Sequence, residues 1–181
     1  MAAVRVVSRK LLYRGRIIRL YREVLDVAGR RVVRETITHP GAVVMVPVLP
    51  NGRVVLIQQY RRSVNRVLLE LPAGTLERGE QPDRCARREL QEETGWRARR
   101  LRRLARFYAA PGFISERMTL FLAQDLTWAP LRPDPDERVR PAVMTLTQAL
   151  RKIRTGAICD AKTIIGMWTL AALRRGRRRR A

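Results

Sequence analysis

Glu89, Glu92 and Glu93 are the residues of this chain whose type and spacing most directly suggest chemistry. On a helix, Glu89 and Glu93 lie one turn apart and Glu92 stands three residues from Glu89, so the three carboxylates share a face. Like charges placed this way repel and weaken an isolated helix. Arginine in front of them could neutralise the repulsion. Three converging carboxylates are equally the oxygen-rich surface that Mg²⁺ or Mn²⁺ prefers. On an arbitrary surface helix, a solvated acidic face is the ordinary outcome. Here 16 acidic residues stand against 38 basic ones, for a formal net charge of +22, so a cluster of acids runs against the trend and needs a reason.

The elements that must position these groups are legible around them. Residues 81–94 are predicted to be helical. Pro82 suits the first helical position, Asp83 complements the positive end of the helix dipole, and Gly95 suits a left-handed C-terminal cap. Upstream, residues 4–38 alternate charged and apolar side chains as two or three antiparallel strands, with a hairpin turn at Gly29 and a break at His39-Pro40-Gly41. Two apolar runs, 42–49 and 54–60, flank Asn51-Gly52, a strong hairpin signal, and both strands read as buried on two faces. A short strand follows at Leu68 to Leu71. Further strands are expected near 101–108 and 118–123, with a loop from Ala110 to Glu116 between them. Residues 125–140, polar and rich in proline, read as a loop free to move. Leu146, Ala149, Leu150 and Ile153 mark an amphipathic helix ending at Gly156. Asp160 then caps a second helix with Ile164, Met167, Trp168 and Ala171 on one face. The expectation is a mixed sheet with helices packed on it.

Composition bounds the function classes. With 181 residues, 46% hydrophobic and 30% charged, the chain can bury a core of its own and is neither disordered nor fibrous. Two cysteines, Cys85 and Cys159, neither in a CxxC pair, exclude a zinc-finger cluster and a disulfide framework. No secretory leader is visible, and the longest uncharged run, residues 36–52, is too short and too broken by proline to span a bilayer. A cytoplasmic protein with no membrane association is expected. Of the 38 basic residues 35 are arginine, spread along the whole chain apart from the run at 174–181. Such a field attracts anions of any kind, nucleotides and nucleic acid included.

The segment from Gly74 to Trp96 resembles the Nudix box, G-x5-E-x7-R-E-U-x-E-E-x-G-U, where U is a bulky apolar residue. Gly74, Glu80, Arg88, Glu89, Leu90, Glu92, Glu93, Gly95 and Trp96 fill every position. The resemblance implies a metal-dependent hydrolase of nucleoside diphosphates linked to another group. It implies an α/β fold, the Nudix α/β/α sandwich with a mixed sheet, carrying the box as loop, helix and loop. It also implies roles. Glu89 and Glu93 would be metal ligands, with Glu92 helping to hold a further metal or water and Ala73 offering its backbone carbonyl. Glu80 and Arg88 would form an ion pair fixing loop to helix, and Gly74 and Gly95 would be structural. The flanks, Gln59-Tyr60-Arg61, Glu70-Leu-Pro-Ala-Gly, Pro111, His39-Pro-Gly-Ala and Asp160-Ala-Lys-Thr, are similar to the ADP-ribose pyrophosphatase subgroup. They imply hydrolysis of ADP-ribose to AMP and ribose 5-phosphate by a homodimer. On that reading the chain divides into an N-terminal β arm for dimerisation (1–38), a Nudix domain (39–173) and an arginine-rich tail (174–181).

Within this resemblance, Arg61 offers a bidentate donor for a pyrophosphate oxygen. Tyr60 or Phe113 could stack on the base, although a core aromatic is the plainer reading of either. Glu70 could accept from a base or ribose hydroxyl, or simply pair with an arginine. Pro111 marks the loop after the box. Three candidates remain for the base that activates water: Glu92 on the helix, then Glu137 in the acidic run Asp134-Pro-Asp-Glu137, then Glu116. Two rival readings stand beside this one. The substrate could be GDP-mannose, another nucleotide sugar or a dinucleoside polyphosphate. Alternatively, the protein could be an RNA-associated module using its charge, with the 174–181 tail as a non-specific nucleic-acid contact.

Overall fold

The computed structural model describes residues 3–132 and 138–178, with the side chains of 177 and 178 outside the description. The acidic run that holds Glu137 lies outside the described residues. The chain divides into two compact units, residues 1–41 with 107–118, and residues 42–106 with 119–181.

The first unit is a three-stranded antiparallel sheet of β1 (Val4–Arg14), β2 (Arg19–Val27) and β3 (Arg30–Thr38), in that order. The β2–β3 turn sits at Ala28-Gly29, both with positive φ (52° and 82°), and Gly29 N–H donates to Asp26 Oδ1 at 2.9 Å. Two consecutive positive φ values make the turn whose twist matches antiparallel strands. The loop 110–116 is tied to β3: Ile37 N–H donates to the Phe113 carbonyl at 2.7 Å, and Ser115 N–H to the Ile37 carbonyl at 2.9 Å. Val4, Val6, Leu11, Leu12 and Tyr13 of β1 are all exposed.

The second unit contains β4 (Ala42–Pro47), β5 (Val54–Arg61), β6 (Arg66–Glu70), β7 (Ala73–Thr75), α1 (Pro82–Thr94), β10 (Val139–Met144), α2 (Leu146–Arg154) and α3 (Ala161–Arg178), with most of β8 (Trp96–Tyr108) and β9 (Arg117–Trp128). Two sheets form, β7–β4–β9–β8 and β10–β5–β6. Every residue of β4 is buried because the strand is covered from both sides. Val43 and Met45 pack in one cluster with Cys85, Ala86 and Leu90 of α1. The alternate face meets α3, where a Cβ on Gly166 would lie 3.2 Å from Val46 Cγ2 and 2.3 Å from Leu71 Cδ1. Successive side chains of a strand point to opposite faces, so α1 and α3 cover opposite sides of β4. The α/β/α layering expected from the sequence is therefore present.

Several local expectations are corrected. Asn51-Gly52 does form a tight turn, with Gly52 N–H on the Leu49 carbonyl at 2.8 Å, but it does not close an extended hairpin. After a single bridge between Val48 and Val54, the flanking strands part into different sheets. Only the first half of β5 is buried throughout; beyond Ile57 it alternates. The region read as one loop over 125–140 holds the end of β9 and the start of β10. β10 carries Pro141, which is tolerated because the strand lies at a sheet edge. Trp168 is exposed, and the buried face of α3 runs through Lys162, Thr163, Gly166, Met167, Leu170 and Ala171. That helix continues through Arg174 to Arg178, so the arginine run begins within it.

Candidate active site

Helix α1 starts and stops as its sequence dictates. Pro82 occupies the first turn, and Gly95 closes the C-terminus at φ 75°, its N–H on the Gln91 carbonyl. Glu89 and Glu93 fall on the buried side of the helix, 8% and 3% exposed. Gly74 explains how Glu89 is accommodated. A Cβ on Gly74 would stand 1.9 Å from Glu89 Cδ, so the carboxylate lies directly against the β7 backbone. Ala73, one residue earlier, donates its N–H to Glu93 Oε2 at 2.9 Å. The short strand thus holds both carboxylates.

Arg88 organises the acids on the other side. It donates to Glu80 through Nε and Nη2, both at 3.1 Å, and its Nη1 lies 2.8 Å from Glu89 Oε1 and 3.0 Å from Glu92 Oε2. The Glu80–Arg88 pair expected from the box is present, and the same guanidinium gathers Glu89 and Glu92 as well. Burial alone would push the Glu80 carboxyl up, but the hydrogen bonds and charge of Arg88 together with the Glu77 N–H and Cys85 hold the group below its ordinary range. Hydrogen bonds to Glu80 hold Arg88 more firmly in its charged form, against the effect of burial, with Glu89 adding to it. Both explanations weighed for the acidic face therefore meet here. Arginine neutralises part of it, Glu89 included, and the two buried carboxylates, Glu89 and Glu93, lie against the β7 backbone.

The residues fit a divalent metal. Among the described residues no three His, Cys, Asp or Glu side chains form a closed cage. Mg²⁺ does not need one; it retains several waters and is commonly held by one or two carboxylates together with substrate phosphates. Glu89 and Glu93, hard oxygen donors pressed against the Ala73-Gly74 backbone, are a set of that kind.

A cleft of about 750 Å³ opens alongside, lined by Glu92 and Glu93 and extending to Gln58, Tyr60, Gln91, Trp128, Arg138 and Arg140 among others. Tyr60 is 48% exposed and is not a core residue; its hydroxyl donates to Asn65 Oδ1 at 2.7 Å. The sequence reading did not single out Trp128. It meets Trp96 edge-to-face with ring centroids 5.4 Å apart, and it rests on Gly95, where a Cβ would come within 2.5 Å of its ring. Gln91 Nε2 on the Ala129 carbonyl at 2.8 Å and Ala129 N–H on the Gly95 carbonyl at 3.0 Å pin this strand end to the end of α1. The available signal was a tryptophan closing an apolar alternation, six residues before the acidic run.

The remaining candidates fall in two places. Arg61 grips Glu70 bidentately, Nε to Oε1 at 2.9 Å and Nη2 to Oε2 at 2.8 Å, and Lys162 Nζ also donates to Glu70. Glu70 is 1% exposed, so of the two readings given to it, the ion pair is the one its geometry presents. Pro111, Phe113 and Glu116 belong to the first unit. There Phe113 is exposed, and Glu116 Oε1 lies 3.9 Å from His39 Nε2.

The NUDIX domain family profile matches residues 38–164, more than half of the chain. The chain belongs to the Nudix family. It is a hydrolase of pyrophosphate bonds, and its box is the Gly74–Trp96 segment just described. An ADP-ribose pyrophosphatase of Bacillus subtilis is 36% identical over 162 residues, covering 88% of each chain. A GDP-mannose pyrophosphatase of Yersinia enterocolitica is 33% identical over 134 residues, covering 69% of this chain and 70% of the other. A solved structure described as an ADP compounds hydrolase superposes with a TM-score of 0.86 at 24% identity, over 96% of this chain and 95% of that one, which confirms the fold. Among the described residues, no helix is long and apolar enough to cross a membrane.

Proposed function

We propose that this Nudix protein hydrolyses ADP-ribose to AMP and ribose 5-phosphate, using Mg²⁺ or Mn²⁺ held by Glu89 and Glu93 with the Ala73 carbonyl. The observation that carries the reading is the union of the buried Glu89/Glu93 pair with the adjoining cleft. Its volume lies within the range of small-molecule sites, and it offers aromatic faces, amides and arginines for a nucleoside diphosphate. The similarity to the Bacillus subtilis ADP-ribose pyrophosphatase over most of both chains supports the choice of substrate. A bound divalent ion neutralises pyrophosphate charge and makes a water more acidic.

The chain's own residues do the rest. Tyr60 and Trp128 offer stacking faces, and Arg61, Arg138 and Arg140 offer donors to phosphate oxygens. Glu80 and Arg88 hold the loop and aim Glu89. Pro111 and Phe113 enter this reading through the family resemblance. For the base, Glu92 ranks first because it already lines the cleft, and a base must lie within hydrogen-bond reach of the water it activates. Glu137 and Glu116 follow in that order. Phosphoryl transfer requires little covalent work from the protein beyond such positioning and charge stabilisation.

The exposed apolar side chains of β1 support a homodimer in which a second copy covers them. A cytoplasmic location accords with nucleotide chemistry. A second reading, GDP-mannose as substrate, is favoured by the Yersinia relative. A panel of ADP-ribose, GDP-mannose and a dinucleoside polyphosphate, scored by AMP, GMP or phosphate release, separates the two. The proposal expects ADP-ribose to give the highest kcat/KM, and a clear preference for GDP-mannose would replace it.

A further inference from the structure

Arg61, Glu70, Lys162 and Asp160 form a row of alternating charges that links β5, β6 and the start of α3. Arg61 grips Glu70, Lys162 Nζ donates to the same Glu70, and Lys162 Nζ also lies 2.9 Å from Asp160 Oδ1. Glu70 and Lys162 are buried, 1% and 8% exposed, and they stand 92 residues apart in sequence. Desolvating such ions costs about as much as their attraction returns, so stability alone is a weak reason to keep the row.

The two ends of the row differ. At one end the negative charge of Asp160 is absorbed. Its Oδ2 accepts from Thr163 N–H at 2.9 Å and from Thr163 Oγ1 at 2.6 Å, at the N-terminus of α3 where the helix dipole favours an anion. Thr163 Oγ1 also accepts from Leu71 N–H at 2.8 Å, so the first turn of α3 is bonded to the backbone directly after Glu70. The other end is open. The Arg61 side chain is 35% exposed, and its Nη1 makes no hydrogen bond among the described residues. Hydrogen bonding to Glu70 holds Arg61 firmly charged against burial, and the charges of Glu70, Glu93 and Asp160 add to that. Were Arg61 the only partner of Glu70, the two charges would cancel. Lys162 shares Glu70, so the row carries a positive pole at Arg61 and sets its negative pole, Asp160, at the N-terminus of the helix.

We propose that Lys162, anchored by Asp160, is a positioning residue for substrate: by sharing Glu70 it fixes the Arg61 fork and keeps its outer edge positive toward the pyrophosphate. The inference deepens the function proposed above and rests on it for the identity of the substrate and for the contact of Arg61 with its phosphates. A guanidinium fork is suited to this use because two of its donors can be locked to a carboxylate while another edge remains for an anion.

The test is a double-mutant cycle of Lys162→Met and Arg61→Ala, read as kcat and KM on ADP-ribose and as calorimetric binding of inorganic pyrophosphate without metal. Thermal melts identify the folded variants. Each single substitution is expected to raise KM and weaken pyrophosphate binding about tenfold, with kcat within about threefold, and the double variant to be no worse than Arg61→Ala alone. A folded Lys162→Met with wild-type KM and pyrophosphate affinity overturns the proposal, as do losses that simply multiply in the double variant. Arg61→Lys tests the same idea without disturbing Lys162. It keeps the charge and loses the fork, so it is expected to bind as weakly as Arg61→Ala, and wild-type binding by it also overturns the proposal. Absence of ADP-ribose turnover with the pyrophosphate coupling intact rejects the substrate reading and supports the role given to Lys162.

Discussion

Glu92 carries two demands at once: one of its oxygens accepts from Arg88, and its side chain borders the cleft. If it is the base, Glu92→Gln loses roughly 10² to 10⁴ in kcat with little change in KM, more than Glu137→Gln or Glu116→Gln does. A larger loss in Glu137→Gln transfers the role to the segment after Arg132. Glu70 makes a different prediction, one of stability. Burial pushes its carboxyl up, but the Arg61 hydrogen bonds and the Lys162 charge outweigh this and hold it below its ordinary range. A group with a depressed folded pKa contributes stability above its unfolded pKa and loses it as pH falls through the folded one. Glu70→Gln is therefore expected to cost about 3 kcal/mol at pH 7, from breaking a buried ion pair. The gap to wild type should stay constant down to about pH 5 and close as pH falls below the ordinary glutamate value of about 4.3. Urea denaturation across pH measures it, and a gap that widens on acidification contradicts the assignment.

At the scale of elements, the β7–α1–β9 contacts make the site a matter of backbone clearance. Gly95 combines φ 75° with a Trp128 ring that a Cβ would approach to 2.5 Å. Gly95→Ala is expected to destabilise by about 1–3 kcal/mol, in the range of strain and overpacking, and to displace Trp128, read as a shift in tryptophan fluorescence. An unshifted spectrum would show that Trp128 does not rest there. Helix α1 and its ends were legible in the sequence because their signals are local: Pro82 at the start, Gly95 at the end, and the box between. The pairing of Arg88 with Glu80 was legible only through the resemblance to the Nudix box. What escaped is tertiary. The Asn51-Gly52 signal specifies a turn but not which sheet each flanking strand joins. β10 was hidden by Pro141, which only an edge position permits. Trp168 had the spacing of a buried residue, yet α3 presents Gly166 to Leu71 instead, which rotates the tryptophan outward. Trp128 became a site candidate only once Gly95 was seen beneath its ring, and the Glu70–Lys162 contact spans 92 residues that no local pattern connects.

At the scale of the whole molecule, two surfaces call for separate tests. The exposed apolar residues of β1 are too many for a sheet of three strands that faces only water. Deleting residues 1–38 is expected to abolish both the proposed dimer and activity, and a fully active monomer by light scattering contradicts that. The arginine run is expected to act differently. Arg174 Nη2 donates to the Gly52 carbonyl at 2.8 Å, so that residue belongs to the folded unit. Deleting residues 177–181 removes four arginines and leaves that bond in place. Turnover should be unchanged while retention on heparin or RNA weakens, because these four charges add to the screened field that attracts polyanions. A fall in kcat of more than about tenfold would place the run in the catalytic machinery.

The central claim is that two buried carboxylates on α1 hold a divalent ion that acts on the pyrophosphate of ADP-ribose. The measurement that bears on it most directly is AMP release from ADP-ribose by wild-type protein and by Glu93→Gln, each with Mg²⁺ and after its removal by a chelator. Glu93→Gln keeps shape and helix propensity while removing one charge. The account predicts metal-dependent turnover by the wild type and a loss of roughly 10²-fold or more in kcat by the folded variant, the size expected when a transition-state-stabilising group is removed. Turnover that survives chelation, or a Glu93→Gln variant with near-normal kcat, would contradict it.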